Sequence, residues 1–302
     1  MADFEVLDER FRKFFMGNAP VERLATGFRW LEGPVWFGDA QHLLFSDIPN
    51  DRMLRWTENA GVSVYRQPAG FTNGHTRDRE GRLVSCEHGR RRVSRTELDG
   101  RVVTLVDRFE GKQLNSPNDV VVKSDGTIWF TDPPYGIMSD YEGDKAESET
   151  GQDVVYRYDP DTGSISIVCT TAVKPNGLAF SPDERTFYLT DTGGTHQPGL
   201  PGRIWAFDVE RNGQALANNR IFATIRAGFA DGFRCDEDGN VWTSAGTGVE
   251  CYLPDGTLIG RIDVGEVVAN VAFGGPKKNR LFICASTSLY AVYLNARGAQ
   301  KP

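Results

Sequence analysis

At 302 residues the chain has room for one large all-β domain or two smaller ones. Its 39% hydrophobic and 25% charged residues are those of an ordinary globular protein, and a net charge of −7 excludes the basic face that nucleic-acid binding requires. No apolar run is long enough to span a membrane, and the five cysteines show neither CxxC nor any other metal spacing.

In chain order, the first element expected is a short amphipathic helix within an extension over residues 1–20. Phe4, Leu7, Phe11, Phe14 and Phe15 recur there at roughly helical spacing. The extreme N-terminus carries no basic segment leading into an apolar stretch, so the expectation is a cytoplasmic protein, with the periplasm left open. An odd number of cysteines fits a reducing compartment. Next comes Val21-Glu-Arg-Leu-Ala-Thr-Gly-Phe28, a strand with no partner of its own nearby.

From there to about residue 297 the chain repeats itself six times. The copies begin at Glu32-Gly-Pro, Asn73-Gly-His, Asn118-Asp-Val, Asn176-Gly-Leu, Asp231-Gly-Phe and Asn270-Val-Ala. In each, an apolar residue follows 11 or 12 positions later, at Leu44, Val84, Trp129, Tyr188, Trp242 and Phe282. Turn dipeptides such as Asp125-Gly126 and Asp255-Gly256 separate short runs rich in Val, Ile and aromatic residues, which is hairpin grammar. Units of roughly forty to fifty residues with about four strands each predict an all-β, six-bladed β-propeller. The sixth copy holds only about three strands, so residues 21–28 are expected to supply its outer strand and close the ring, removing an edge. Arg90-Arg91-Arg92, the densest basic run, reads as a solvated hairpin.

In such a blade the innermost strand starts at the mouth of the ring and the second strand returns to it. The residues 14 or 15 past the leading positions include Asp47, Glu87, Asp132 and Asp191, which predicts an acid-rich rim. The long interruptions at 133–153 and 192–202 follow directly and should overhang that mouth.

Closure brings the six leading residues to one axis. Glu32, Asn118, Asn176 and Asp231 then offer two carboxylates and two amides, an all-oxygen set that suits a hard cation such as Ca²⁺. Asn-Gly and Asp-Gly also serve as turn formers, but the Glu of the first copy, locked by Gly33-Pro34, is no favoured turn residue.

Gly27-Phe-Arg-Trp-Leu-Glu-Gly-Pro-Val-Trp36, Ser116-Pro-Asn-Asp119, Lys174-Pro-Asn-Gly177 and Ala230-Asp-Gly232 together resemble the SMP-30/gluconolactonase family, in order and in register past residue 21. Cys86-Glu-His88 and Thr131-Asp-Pro-Pro-Tyr135 are closest to its bacterial gluconolactonase branch. The resemblance implies a divalent metal, Ca²⁺ foremost with Zn²⁺ or Mg²⁺ as alternatives, held by Glu32, Asn176 and Asp231. It places Asn118 beside the metal, directly or through water or substrate. It further implies a metal-dependent hydrolase that opens a sugar lactone, D-glucono-1,5-lactone to D-gluconate, by polarising the carbonyl and activating a water. Asp231 is then either the base or only a ligand. No GxSxG suggests a serine nucleophile instead.

One departure is Ser116, where animal members carry an arginine that helps hold the sugar. Substrate hydroxyls must be met otherwise, and Glu87, His88, Asp132, Tyr135 and His196 are the candidates. Aryl-ester or phosphotriester hydrolysis on the same scaffold, or a non-catalytic propeller that binds a partner, are the competing readings. The partner expected is a small sugar lactone, with no nucleic acid and no membrane, and the protein is expected to be a monomer or homodimer.

Overall fold

The computed structural model describes residues 4–210 and 213–301. Six antiparallel sheets follow one another along the chain, each running from an innermost strand outward. Blade one is Leu31–Phe37, His42–Asp47, Arg52–Thr57 and Gly61–Arg66; blade two is Thr72–Arg77, Leu83–Glu87, Arg92–Thr96 and Val102–Val106. Blade three is Val120–Val122, Ile128–Asp132, Val154–Asp159 and Ser164–Cys169; blade four is Pro175–Phe180, Thr186–Asp191, Arg203–Glu210 and Ala215–Thr224. Blade five is Phe233–Cys235, Val241–Ala245, Gly248–Tyr252 and Leu258–Asp263. Blade six takes Val268–Gly274, Arg280–Ala285 and Ser288–Tyr293 from the end of the chain, and its outermost strand, Glu22–Thr26, from before blade one.

The repeat read from the sequence has a direct structural meaning. Leu44, Val84, Trp129, Tyr188, Trp242 and Phe282 each pair with a residue of the innermost strand, opposite Val35, Thr76, Val121, Ala179, Arg234 and Ala272. All six are buried and pack between blades. Trp129 joins Phe187 and Leu189 of the next blade, and Phe282 joins Leu43, Phe45 and Trp56 of blade one. Turn glycines such as Gly126 and Gly256 take positive φ (84° and 85°), which lets these hairpins close without strain. All five cysteines are free and buried, acting as small apolar side chains.

The N-terminal segment, described from Phe4 onward, differs from the short helix expected within residues 1–20. Phe4–Val6 is a strand that adds a fifth member to blade five by pairing with Leu258–Asp263. Glu9–Phe14 is a 3-10 helix whose N-cap, Asp8, accepts from the Arg10 amide. Phe11 and Phe14 are buried against Trp242, with ring centroids 6.1 and 5.1 Å away. The open edge of blade five offers Phe4–Val6 backbone partners that an isolated short helix lacks. The arginine run is also less solvated than its composition suggests. Arg91 donates to the Leu114 and Asn115 carbonyls and Arg92 binds Glu87, leaving only Arg90 largely exposed.

Candidate active site

The leading residues converge because the top of each innermost strand is irregular. Pairing with the second strand slips between Glu32 and Val35, between Thr72 and His75, between Pro175 and Leu178, and between Val268 and Asn270. A bulge re-aims the side chain that sits in it. In blades three and five the leading residue lies just ahead of the short inner strand.

The glycine that follows most of them is required by crowding at the axis rather than by a turn. A Cβ on Gly177 would sit 2.2 Å from the Asp231 carbonyl oxygen, and one on Gly232 would sit 1.9 Å from Asn270 Cγ. Gly33 and Gly74 meet the backbone of the next blade in the same way. Hydroxyls from the second strands latch neighbouring blades at this level. Ser46 donates to the Asn73 carbonyl, Thr131 to that of Asn176 and Thr190 to that of Asp231.

Five of the six leading residues, Glu32, Asn73, Asn118, Asn176 and Asp231, line one cavity of about 360 Å³. The loop over 133–153 adds Tyr135 and Glu142, and the loop over 192–202 adds Thr195 and His196. Trp30, Phe229, Val267 and Val268 form an apolar wall. Asn270, the sixth leading residue, stands behind the cavity. Its Nδ2 donates to Glu32 Oε2 at 2.9 Å while its Oδ1 accepts from the Val271 amide. The Gly33 amide donates to the same Glu32 oxygen at 2.7 Å, so Glu32 is held through Oε2 and Oε1 remains available. The Asp231 amide is fixed by Ser244 Oγ at 2.8 Å, and the Asn176 Nδ2 reaches Thr192 Oγ1 at 3.3 Å.

Electrostatics single out this cavity. Burial pushes the Glu32 carboxyl up to about 8, opposed in part by its hydrogen bonds from Asn270 and Gly33. Burial, and then the neighbouring Glu32 charge, drive Asp231 well above the ordinary carboxylate range. Glu142 is pushed up to about 7 by burial alone. Three carboxylates therefore face one cavity whose lining contains no lysine or arginine. Asn73 Oδ1 is a further buried acceptor with no partner. Among the described residues no group of three His, Cys, Asp or Glu side chains forms a metal centre. The set here is instead two carboxylates with amide oxygens, donors that suit Ca²⁺ rather than zinc.

Apart from Tyr135 and His196, the other residues singled out from sequence sit outside the cavity lining. Glu87 is buried in a two-pronged pair with Arg92 at 2.9 and 3.0 Å. Asp132 is buried beneath the Asn115 amide, and burial raises its carboxyl to about 7. Neither lines the cavity. Asp47 accepts from the Arg29 and Trp30 amides and binds Arg52, while Asp191 accepts from the amides of Val173, Lys174 and Gly193. The acid-rich rim is thus a set of four backbone and arginine anchors, one in each of blades one to four, that fix the chain entering or leaving the mouth. His88 is buried and neutral, its ring held down to about 4 by burial, and it bonds Asn73 and the Glu142 carbonyl. Ser116 donates to the Pro133 carbonyl and accepts from the Gly136 amide, anchoring the overhanging loop. His75 is buried between Ser46 and Ser85, and His196 is exposed beside Tyr135 at the mouth. Glu142 and the supporting role of Asn270 were missed. Glu142 lies in an irregular loop with no repeat counterpart, whereas Asn270 was visible as a sixth copy in register.

A six-bladed propeller with carboxylates and amides gathered at one axial mouth defines the class of scaffold. The model of the SMP-30/Gluconolactonase/LRE-like region matches residues 30–287, and the chain belongs to that family. A gluconolactonase of Zymomonas mobilis is 33% identical over 91% of this chain and 81% of its own length. The pentonolactonase XacC of Haloferax volcanii is 30% identical over 85% of this chain and 82% of its own. The solved structure of XC5397 from Xanthomonas campestris, described as a gluconolactonase, superposes with a TM-score of 0.89 at 39% identity, covering 96% of this chain and 94% of that one.

Proposed function

We propose that this chain hydrolyses a sugar lactone, with D-glucono-1,5-lactone as the expected substrate and a divalent cation, Ca²⁺ by its donor chemistry, held by Glu32, Asn176 and Asp231 beside Asn118. The observation that carries this reading is the convergence of Glu32 and Asp231 with three asparagines in one cavity that has no cationic side chain. Two relatives that act on sugar lactones, by their names, support the substrate class.

A cation bound there supplies Lewis acidity to the lactone carbonyl and lowers the pKa of a water. The chain's own residues do the rest. Asn270 and the Gly33 amide hold one oxygen of Glu32, so the other keeps its direction. Ser244 and Thr190 fix the Asp231 backbone on both sides of the residue, at its amide and its carbonyl. The Asp231 carboxylate, its backbone fixed in this way, takes the proton of the attacking water. The loops carrying Tyr135 and His196 line the mouth of the cavity.

The apolar wall of Trp30, Phe229 and Val267 favours a second reading, hydrolysis of aryl esters. Side-by-side turnover of glucono-1,5-lactone and phenyl acetate decides between them. A kcat/KM higher for the sugar lactone supports the first reading; a preference for the aryl ester overturns it.

A further inference from the structure

We propose that Glu142 recognises substrate hydroxyl groups and thereby sets a preference for polyhydroxylated lactones over unsubstituted ones. This assignment rests on the sugar-lactone reading of the same cavity. Its first support is an accounting of acceptors. A polyhydroxylated substrate brings several O–H donors, and each needs an acceptor when it leaves water. The acids at the ends of the second strands lie outside the cavity lining and are bound to backbone amides and arginines, with only Asp132 Oδ1 among them left without a partner. Glu32 and Asp231 face the position assigned to the cation, the side chains of Trp30, Phe229 and Val267 offer no acceptor, and Asn73 Oδ1 supplies a neutral one. Glu142 lines the cavity, and its carboxylate has no hydrogen-bond partner among the described residues.

The second support is how firmly the loop presents it. A Cβ on Gly143 would lie 2.2 Å from the Gly136 carbonyl oxygen, and one on Gly136 would lie 2.4 Å from His88 Cβ. Only glycine permits that stacking of loop on loop and of loop on blade two. The Ala146 amide donates to the Ile137 carbonyl at 3.0 Å, closing the turn that contains Glu142. His88 Nδ1 lies 2.9 Å from the Glu142 carbonyl. A carbonyl only accepts, so Nδ1 carries the proton and Nε2 is the acceptor for Asn73 Nδ2 at 3.3 Å. His88 is therefore a positioning residue that ties the loop bearing Glu142 to the leading residue of blade two. A side chain whose backbone is fixed in this way loses little freedom when it binds. Burial without a partner holds the carboxyl high, and O–H donors from a substrate would bring it back down.

The test measures kcat and KM of wild type, Glu142→Gln and Glu142→Ala on glucono-1,5-lactone and on δ-valerolactone, which has the ring but no hydroxyls. Loss of a hydrogen bond to a charged acceptor predicts a KM for the sugar lactone raised about tenfold or more in Glu142→Ala, and less in Glu142→Gln, with kcat within about threefold. The δ-valerolactone kinetics should stay within about threefold in both variants, which also shows that the fold and cation site survive. An unchanged KM for the sugar lactone, or equal losses on both lactones, overturns the assignment while leaving the proposed function standing. Wild-type protein that opens neither lactone above the uncatalysed rate overturns both together.

Discussion

Two rings of polar residues surround the same mouth, and they behave oppositely. The outer one, Asp47, Glu87, Asp132 and Asp191 at the ends of the second strands, is buried and largely satisfied. The inner one, Glu32 and three asparagines with the half-buried Asp231 at the starts of the first strands, is nearly as deep but has acceptors left over. Burial does not separate them, nor does charge, nor place in the repeat. Hydrogen-bond accounting does, because a buried carboxylate that already accepts two or three donors is a strut, whereas one that faces a cavity among like charges calls for a cation.

The largest effects should fall on the inner ring. Asp231→Asn and Glu32→Gln each remove a charge from the proposed cation site and are expected to lower kcat by roughly a thousandfold or more. Thermal unfolding of the cation-free variants should match or exceed wild type, since the repulsion between the two carboxylates is relieved. On the outer ring the pattern inverts. Asp47→Ala strips the Arg29 and Trp30 amides and Arg52 of a shared acceptor. Its cost should be about 3–5 kcal/mol in chemical denaturation, as for other broken buried pairs.

A smaller effect belongs to Asn270, which connects to neither substrate nor solvent. Asn270→Ala leaves Glu32 held by the Gly33 amide alone. Cation affinity by titration calorimetry should weaken by about 10–100-fold, the usual range for a residue that orients a ligand. The mildest contrast is with pH. The Glu32 carboxyl rises from its ordinary 4.5 to about 8 on folding, so the folded protein keeps a proton that the unfolded chain loses. Its contribution to stability is complete below about 4.5 and disappears as the pH climbs through about 8. Cation-free protein should therefore melt at lower temperature as the pH rises across that window. Saturating Ca²⁺ should flatten the slope, because the cation replaces the proton. A cation-free melting temperature that climbs with pH over the same range contradicts this.

The sequence disclosed the six blades because each copy repeats both a leading residue and the apolar residue that pairs across from its strand. It disclosed the convergence of Glu32, Asn118, Asn176 and Asp231 on one cavity for the same reason. Its reading of Asn-Gly and Asp-Gly as turn chemistry missed the physical cause, which is the crowding of neighbouring inner strands at the axis. Glu87 and Asp132 looked like substrate contacts because spacing reports the face of a sheet and says nothing about partners. Arg92 and the Asn115 amide, which bind them, come from a neighbouring strand and an entering loop whose approach no local pattern encodes. Glu142 was invisible because irregular loops carry no periodicity. The Phe-rich N-terminus had helical spacing, but the free edge of blade five drew Phe4–Val6 into a strand.

The most direct test of the inner ring is turnover of glucono-1,5-lactone by protein stripped with a strong chelator, its metal content verified by elemental analysis. No catalysis above the uncatalysed rate, restored by about one equivalent of divalent cation per chain, is the predicted result. Full turnover by verified metal-free protein would contradict the assignment of Glu32, Asn176 and Asp231 as cation ligands in catalysis.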